Sequence, residues 1–151
     1  MRDNAPFVRE MLARDKILQI CASDFALVCE RTHATREHVI HIEAPLFGRR
    51  KGEVIKLSDR LSLYADWLFQ QQNRKGWSVL QVLNYVLYGG SDHEVWLRLF
   101  EAHANRDIRF PRYGLNTIAE VVGWARPEVA PPRNGRTSKA LKALGYDVRI
   151  Y

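Results

Sequence analysis

The chain has 151 residues, 46% of them hydrophobic and 26% charged, and a formal net charge of +6. This length supports one domain with a real core, or two very small lobes but not three domains; the balance excludes wholesale disorder. With a pI near 9.6, the surplus cations point to a polyanionic partner: nucleic acid, an acidic protein surface or anionic lipid.

No apolar run follows Arg2, so a signal peptide is not expected, and no stretch approaches the ~18 apolar residues of a transmembrane helix. A cytoplasmic location and no membrane partner are expected. Cys21 and Cys29 form no Cys-x-x-Cys pair, which excludes a zinc ribbon and suggests reduced thiols.

Asp3 or Asn4 can cap a first helix, with Pro6 in its first turn. Phe7, Val8, Met11, Leu12, Ile17, Leu18, Ile20 and Cys21 supply its apolar stripe, and Asp24–Val28 extends it or forms a separate turn. Cys29–Thr35 reads as a polar turn. Val39–Glu43 is rich in β-branched residues and Glu53–Leu57 can return beside it, so a β-hairpin is expected within 38–57. Its glycine-bounded tip carries Arg49, Arg50 and Lys51, a basic wing or simply a solvated loop.

Three helices follow. Ser58 and Asp59 cap the first, with Leu61, Leu63, Tyr64, Trp67 and Leu68 on its apolar face and a close at Gln70–Gly76. Ser78–Tyr88 is apolar nearly all round and should be the most buried helix. Ser91, Asp92 and Glu94 open the next with a capping box, and Val95, Trp96, Leu99, Phe100 and Ala102 give its inner stripe. Short turns predict antiparallel neighbours.

The last third reads as helix, stiff connector, basic helix and strand. Asn116 or Thr117 caps a helix through Val122, stopped by Gly123. Arg126–Pro132 holds three of the six prolines and is stiff and extended. Asn134, or Thr137 with Ser138, caps a second helix with Arg136, Lys139 and Lys142 along one side and Ala140, Leu141 and Leu144 facing inward. Gly145 stops it, and Tyr146–Tyr151 alternates as a strand does. From Pro131 onward five cations oppose Asp147 alone, so this tail holds +4 of the +6.

Thr117–Trp124 followed by Arg136–Tyr146 resembles the helix-turn-helix half of winged-helix domains, which occur in transcription regulators and at the ends of phage and plasmid replication proteins. The resemblance covers about a quarter of the chain, and the proline-rich insert departs from the usual short turn. It implies that the second helix reads DNA. The expected fold is therefore α+β, mainly α, in a single domain: an N-terminal helix plus hairpin (1–57), a helical core (58–112) and a basic helix-turn-helix, winged-helix-like element (113–151).

The functional expectation is binding of nucleic acid, double-stranded DNA first, in regulation or replication of a bacterial, phage or plasmid genome. Asn134, Arg136, Thr137 and Ser138 would stand near bases and phosphates. Arg133, Lys139 and Lys142 would add phosphate contacts, with Arg49, Arg50 and Lys51 from the hairpin tip. Dimerisation is left open. One alternative is a protein-interaction module, an adaptor or inhibitor that takes an acidic partner on the same patch. Another is a metal-dependent nuclease, since Glu37-His38 and the later Asn73 resemble parts of an HNH site. His33, His38, His41 and Glu43 lie close enough in sequence to be weighed as metal ligands, but no helical His-x-x-x-His pair fixes them. No phosphate loop, nucleophile elbow or dinucleotide fingerprint occurs. No catalytic residue, metal or cofactor is assigned, and a binding protein is expected rather than an enzyme.

Overall fold

In the computed structural model, which describes residues 4–150, the chain folds as eight α-helices: α1 (Asn4–Met11), α2 (Ala22–Arg31), α3 (His33–Ile40), α4 (Leu57–Gln70), α5 (Val79–Tyr88), α6 (Val95–Ala104), α7 (Leu115–Ala125) and α8 (Gly135–Ala143). Two 3₁₀ turns, Ala44–Phe47 and Asp92–Glu94, complete the regular structure. No strand occurs among the described residues, so the fold is all-α and the expected α+β class is wrong. No helix among them is long and apolar enough to cross a membrane.

The hairpin expected within 38–57 is absent because tertiary contacts satisfy a helix there instead. The N-terminus of α3 receives the Glu120 carboxylate, which accepts from the Ala34 N–H. At its C-terminal end, the Arg60 guanidinium donates to the carbonyls of Ile42 at 2.7 Å and Val39 at 3.4 Å. Val39 and Ile42, three apart, are both buried, as a helical turn requires and an alternating strand does not. β-propensity is a weak preference that such packing overrides. The proposed return strand has nothing to pair with: Val54 is 95% exposed and Leu57 opens α4. The C-terminal strand is also absent, since 146–150 are irregular and mostly exposed; Tyr151 lies outside the described residues. Without strands there is no wing, and Arg49, Arg50 and Lys51 sit on an exposed irregular loop.

The first long stripe is broken. α1 ends at Met11, and Ala13–Gln19 runs through turns closed by Lys16 N–H to Ala13 carbonyl (2.9 Å) and Gln19 N–H to Lys16 carbonyl (2.9 Å). Leu12, Ile17 and Ile20 still reach the core, but Leu18 is 54% exposed and Cys21 is exposed too, so the periodicity marks burial only in part and helix length wrongly. The expected turn Cys29–Thr35 is the junction of α2 and α3. There the buried Thr32 hydroxyl donates back to the Cys29 carbonyl at 3.1 Å.

The central element is α7, not α5. Nine of the eleven α7 residues are buried, and it packs on α1, α3, α5 and α6. α5 buries six of its ten residues. Gly123 does not end α7. It is the point where the connector crosses the helix: a Cβ there would lie 2.2 Å from Pro132 Cα and 2.3 Å from Pro132 N. α6 is rotated from its expected orientation. Val95, Arg98 and Ala102 face in, while Trp96 and Phe100 are 60% and 54% exposed. The cause is Arg98, whose Nε donates to the Tyr85 and Val86 carbonyls (3.0 and 3.1 Å) and whose Nη1 donates to the Ser91 carbonyl (3.0 Å). A buried guanidinium capping α5 turns the aromatic side of α6 to solvent.

Candidate nucleic-acid interface

A cleft of about 710 Å³ opens between α3, the connector 109–114, the start of α7 and the start of α8. Four of the chain's five histidines line it. His33, His38 and His41 come from α3 and its C-cap, and His103 from the last turn of α6. Arg109 and Arg112 come from the connector, and Arg136 and Lys139 from α8. Glu37 is the one carboxylate among the lining residues. Four permanent cations against one anion make this cleft attractive to phosphate.

Each side of the cleft is held by its own local device. α8 begins where Asn134 turns its side chain back to accept from the N–H groups of Arg136 (3.0 Å) and Thr137 (3.1 Å). Those two donors are used internally, so what the helix start presents to the cleft is its side chains, Arg136 and Lys139, rather than these N–H groups. The connector leading to it is anchored by Arg126, which donates to both Asp92 oxygens (2.9 and 2.8 Å), to Glu128 (3.1 Å) and to the Leu87 carbonyl (3.1 Å). The Arg126 pairing holds Asp92 below the ordinary carboxylate range; Glu128 is lowered first by the hydrogen bond to its own backbone N–H and then by Arg126.

On the opposite side Arg112 adopts φ +52°, the only described non-glycine residue with positive φ. That conformation is costly for a long side chain. It is fixed by the buried Tyr64, whose hydroxyl donates to the Arg112 carbonyl at 2.6 Å. The ring of His38 meets the Tyr64 ring edge-on at 5.8 Å between centroids. Burial lowers the His38 pKa from 6.5. Its contact with the Arg112 carbonyl pulls it up, while the nearby Arg112 guanidinium presses it down. His38 is thus mainly a neutral packing group that helps to place Arg112.

His33 and Glu37 are one helical turn apart, with Nε2 2.7 Å from the carboxylate. The approach lies off the favoured N–H direction, so it is an electrostatic contact more than an aligned hydrogen bond. The same Glu37 oxygen takes Arg136 Nη2 at 3.4 Å, tying α3 to α8 across the cleft.

The sequence-predicted contact residues divide accordingly. Asn134, Arg136 and Lys139 line the cleft, and Lys142 is exposed on α8. Ser138 is 1% exposed and its hydroxyl accepts from Arg133 Nε at 3.3 Å, so Ser138 is not open to a base. Thr137 is half-buried and occupied with the Asn134 cap. Ala140 and Leu144, expected to face inward, are exposed. Arg49, Arg50 and Lys51 are exposed but do not line the cleft. Arg109, Arg112 and His103 escaped the sequence reading because they lie in a connector and at a helix end, without periodicity to mark them. Among the described residues no group of three His, Cys, Asp or Glu side chains is placed to hold an ion, His33, His38, His41 and Glu43 included. Asn73, the HNH-like candidate, is instead a loop staple. Its Nδ2 donates to the Ile108 carbonyl (2.8 Å), and its Oδ1 accepts from the Trp77 N–H (2.9 Å).

No known family, curated protein or solved structure matches the chain.

Proposed function

We propose that this protein binds nucleic acid, with the phosphates of one strand lying in the cleft between α3, the 109–114 connector and α8. The observation that carries this reading is the convergence of Arg109, Arg112, Arg136 and Lys139 around a single carboxylate. A strand in a cleft suits the geometry better than a recognition helix in a major groove. The start of α8 faces α3 and is tied to it through Glu37, and Ser138 is buried. Phosphate contacts do not distinguish DNA from RNA, so duplex DNA, single-stranded DNA and RNA are compared directly. In a fluorescence anisotropy salt series with the three ligands, wild type should bind a single strand most tightly. Arg136→Ala with Lys139→Ala should weaken binding and lower the slope of log K against log salt by about 1–2. Absence of binding at low salt, or an unchanged slope in the double variant, would remove the proposal.

A second reading, a protein-interaction module, has its own observation in the exposed Trp96, Leu97 and Phe100 of α6. It predicts a partner that is lost with Trp96→Ala and kept with the cleft variants.

A further inference from the structure

Resting on the cleft as a strand-binding site, we infer that it also cleaves RNA without a metal, by internal transesterification. Besides the packed His38, three imidazoles line the cleft, those of His33, His41 and His103, more than phosphate binding needs, because arginine and lysine already supply permanent charge. Imidazole differs in being able to give and take a proton near neutral pH. The cleft contains no serine or cysteine to act as a nucleophile. The described residues also provide no cluster of three metal-ligating side chains to generate a hydroxide. RNA brings its own nucleophile, the 2′-hydroxyl next to the scissile phosphate, so imidazoles and cations are sufficient for RNA and insufficient for DNA.

In this step His33 removes the proton from the 2′-oxygen. That oxygen forms a bond to phosphorus, the bond from phosphorus to the 5′-oxygen breaks, and a protonated imidazole of the cleft gives its proton to the departing 5′-oxygen. The products are a 2′,3′-cyclic phosphate and a 5′-hydroxyl, with no oxidant, reductant or co-reactant. Glu37, 2.7 Å from His33 Nε2, stabilises the imidazolium that forms on His33, as a carboxylate does in other base dyads. Arg112, held by Tyr64, and Arg136 bear on the phosphate charge. The acid comes from His41 or His103, because the His38 ring is packed on Tyr64 and burial favours its neutral form.

The experiment uses a labelled RNA oligonucleotide and its DNA counterpart in EDTA, with the full chain in excess under single-turnover conditions so that affinity does not limit the rate. RNA ending in 2′,3′-cyclic phosphate and intact DNA are expected. His33→Ala and the milder His33→Gln should each slow cleavage by about 10²-fold or more, with helical circular dichroism retained. Loss of the acid, in His41→Ala or in His103→Ala, should be largely rescued on uridine 3′-(4-nitrophenyl phosphate), whose leaving group needs no proton. RNA that is bound but intact overturns this inference and leaves the binding proposal standing, whereas no binding of any strand removes both. Equal cleavage by wild type and both His33 variants, or no rescue in either acid variant, also overturns it.

Discussion

Gly123→Ala offers a test in which the sign of the effect decides. In an exposed helix interior the change would stabilise by about 1 kcal/mol through helix propensity. Here the new methyl group would stand 2.2 Å from Pro132 Cα, 2.3 Å from Pro132 N and 2.8 Å from the Pro131 carbonyl carbon. All three are backbone atoms of a proline pair, so no side chain can swing away and the connector must retreat by about an ångström or more. Overpacking of that kind costs about 1–3 kcal/mol, and rigid neighbours put it at the upper end. The expected net loss is about 1–2 kcal/mol, which for a chain of this size is a fall in Tm of roughly 2–8 °C. Pro132 is two residues before Asn134, so α8 shifts with the connector and the cleft loses its alignment. Thermal unfolding followed by circular dichroism gives the first number. Anisotropy at 15 °C, well below the transition, gives the second, where nucleic-acid affinity should fall although the chain remains folded. A Tm equal to or above that of wild type would refute the close approach of connector and helix.

Other outcomes follow from the same contacts. Cys29 is fully buried and its thiol is pushed well up by that burial, whereas Cys21 is exposed; a thiol-specific chromogenic reagent should count one reactive group in the native protein and two after denaturation. His38 is held below 6.5 by burial, so the unfolded chain binds the extra proton first. Stability should therefore fall as pH drops through 6.5 and level off below the folded-state value, and urea melts of His38→Gln should lack that decline. Asn73→Ala strands the Ile108 carbonyl and the Trp77 N–H; a loss of about 1–3 kcal/mol is expected, read as a lower urea midpoint at unchanged slope.

The sequence made some elements legible and hid others for identifiable reasons. α4 could be read because Leu61, Tyr64, Ala65 and Leu68 are spaced for one face, and all four are buried. The start of α5 could be read because Ser78 and Gln81 form a true capping box. α3 was obscured because what makes it helical lies elsewhere in the chain, in Glu120 and Arg60. The orientation of α6 was obscured because Arg98, a charged residue, takes an inward position ordinarily left to apolar side chains. At the candidate site, Asn134, Arg136 and Lys139 were visible as a basic helix start. The histidines were visible only as a short-range cluster, which invited a metal. Their meeting with His103, Arg109 and Arg112 depends on how α6 and α7 fold back on α3, and no local pattern encodes that.

Glu37 carries a consequence of its own. By resting against Arg136 and His33, it acts as a tethered competitor for any incoming anion. A single weak anion such as chloride or acetate gains little by exchanging places with a carboxylate that is already at hand. A chain of linked phosphates bound as proposed would displace it at one point while holding Arg109, Arg112 and Lys139 at others, and its tethered neighbours would make rebinding fast. If the cleft holds a strand as proposed, the carboxylate would work as a threshold filter, screening out small anions and favouring multivalent ones.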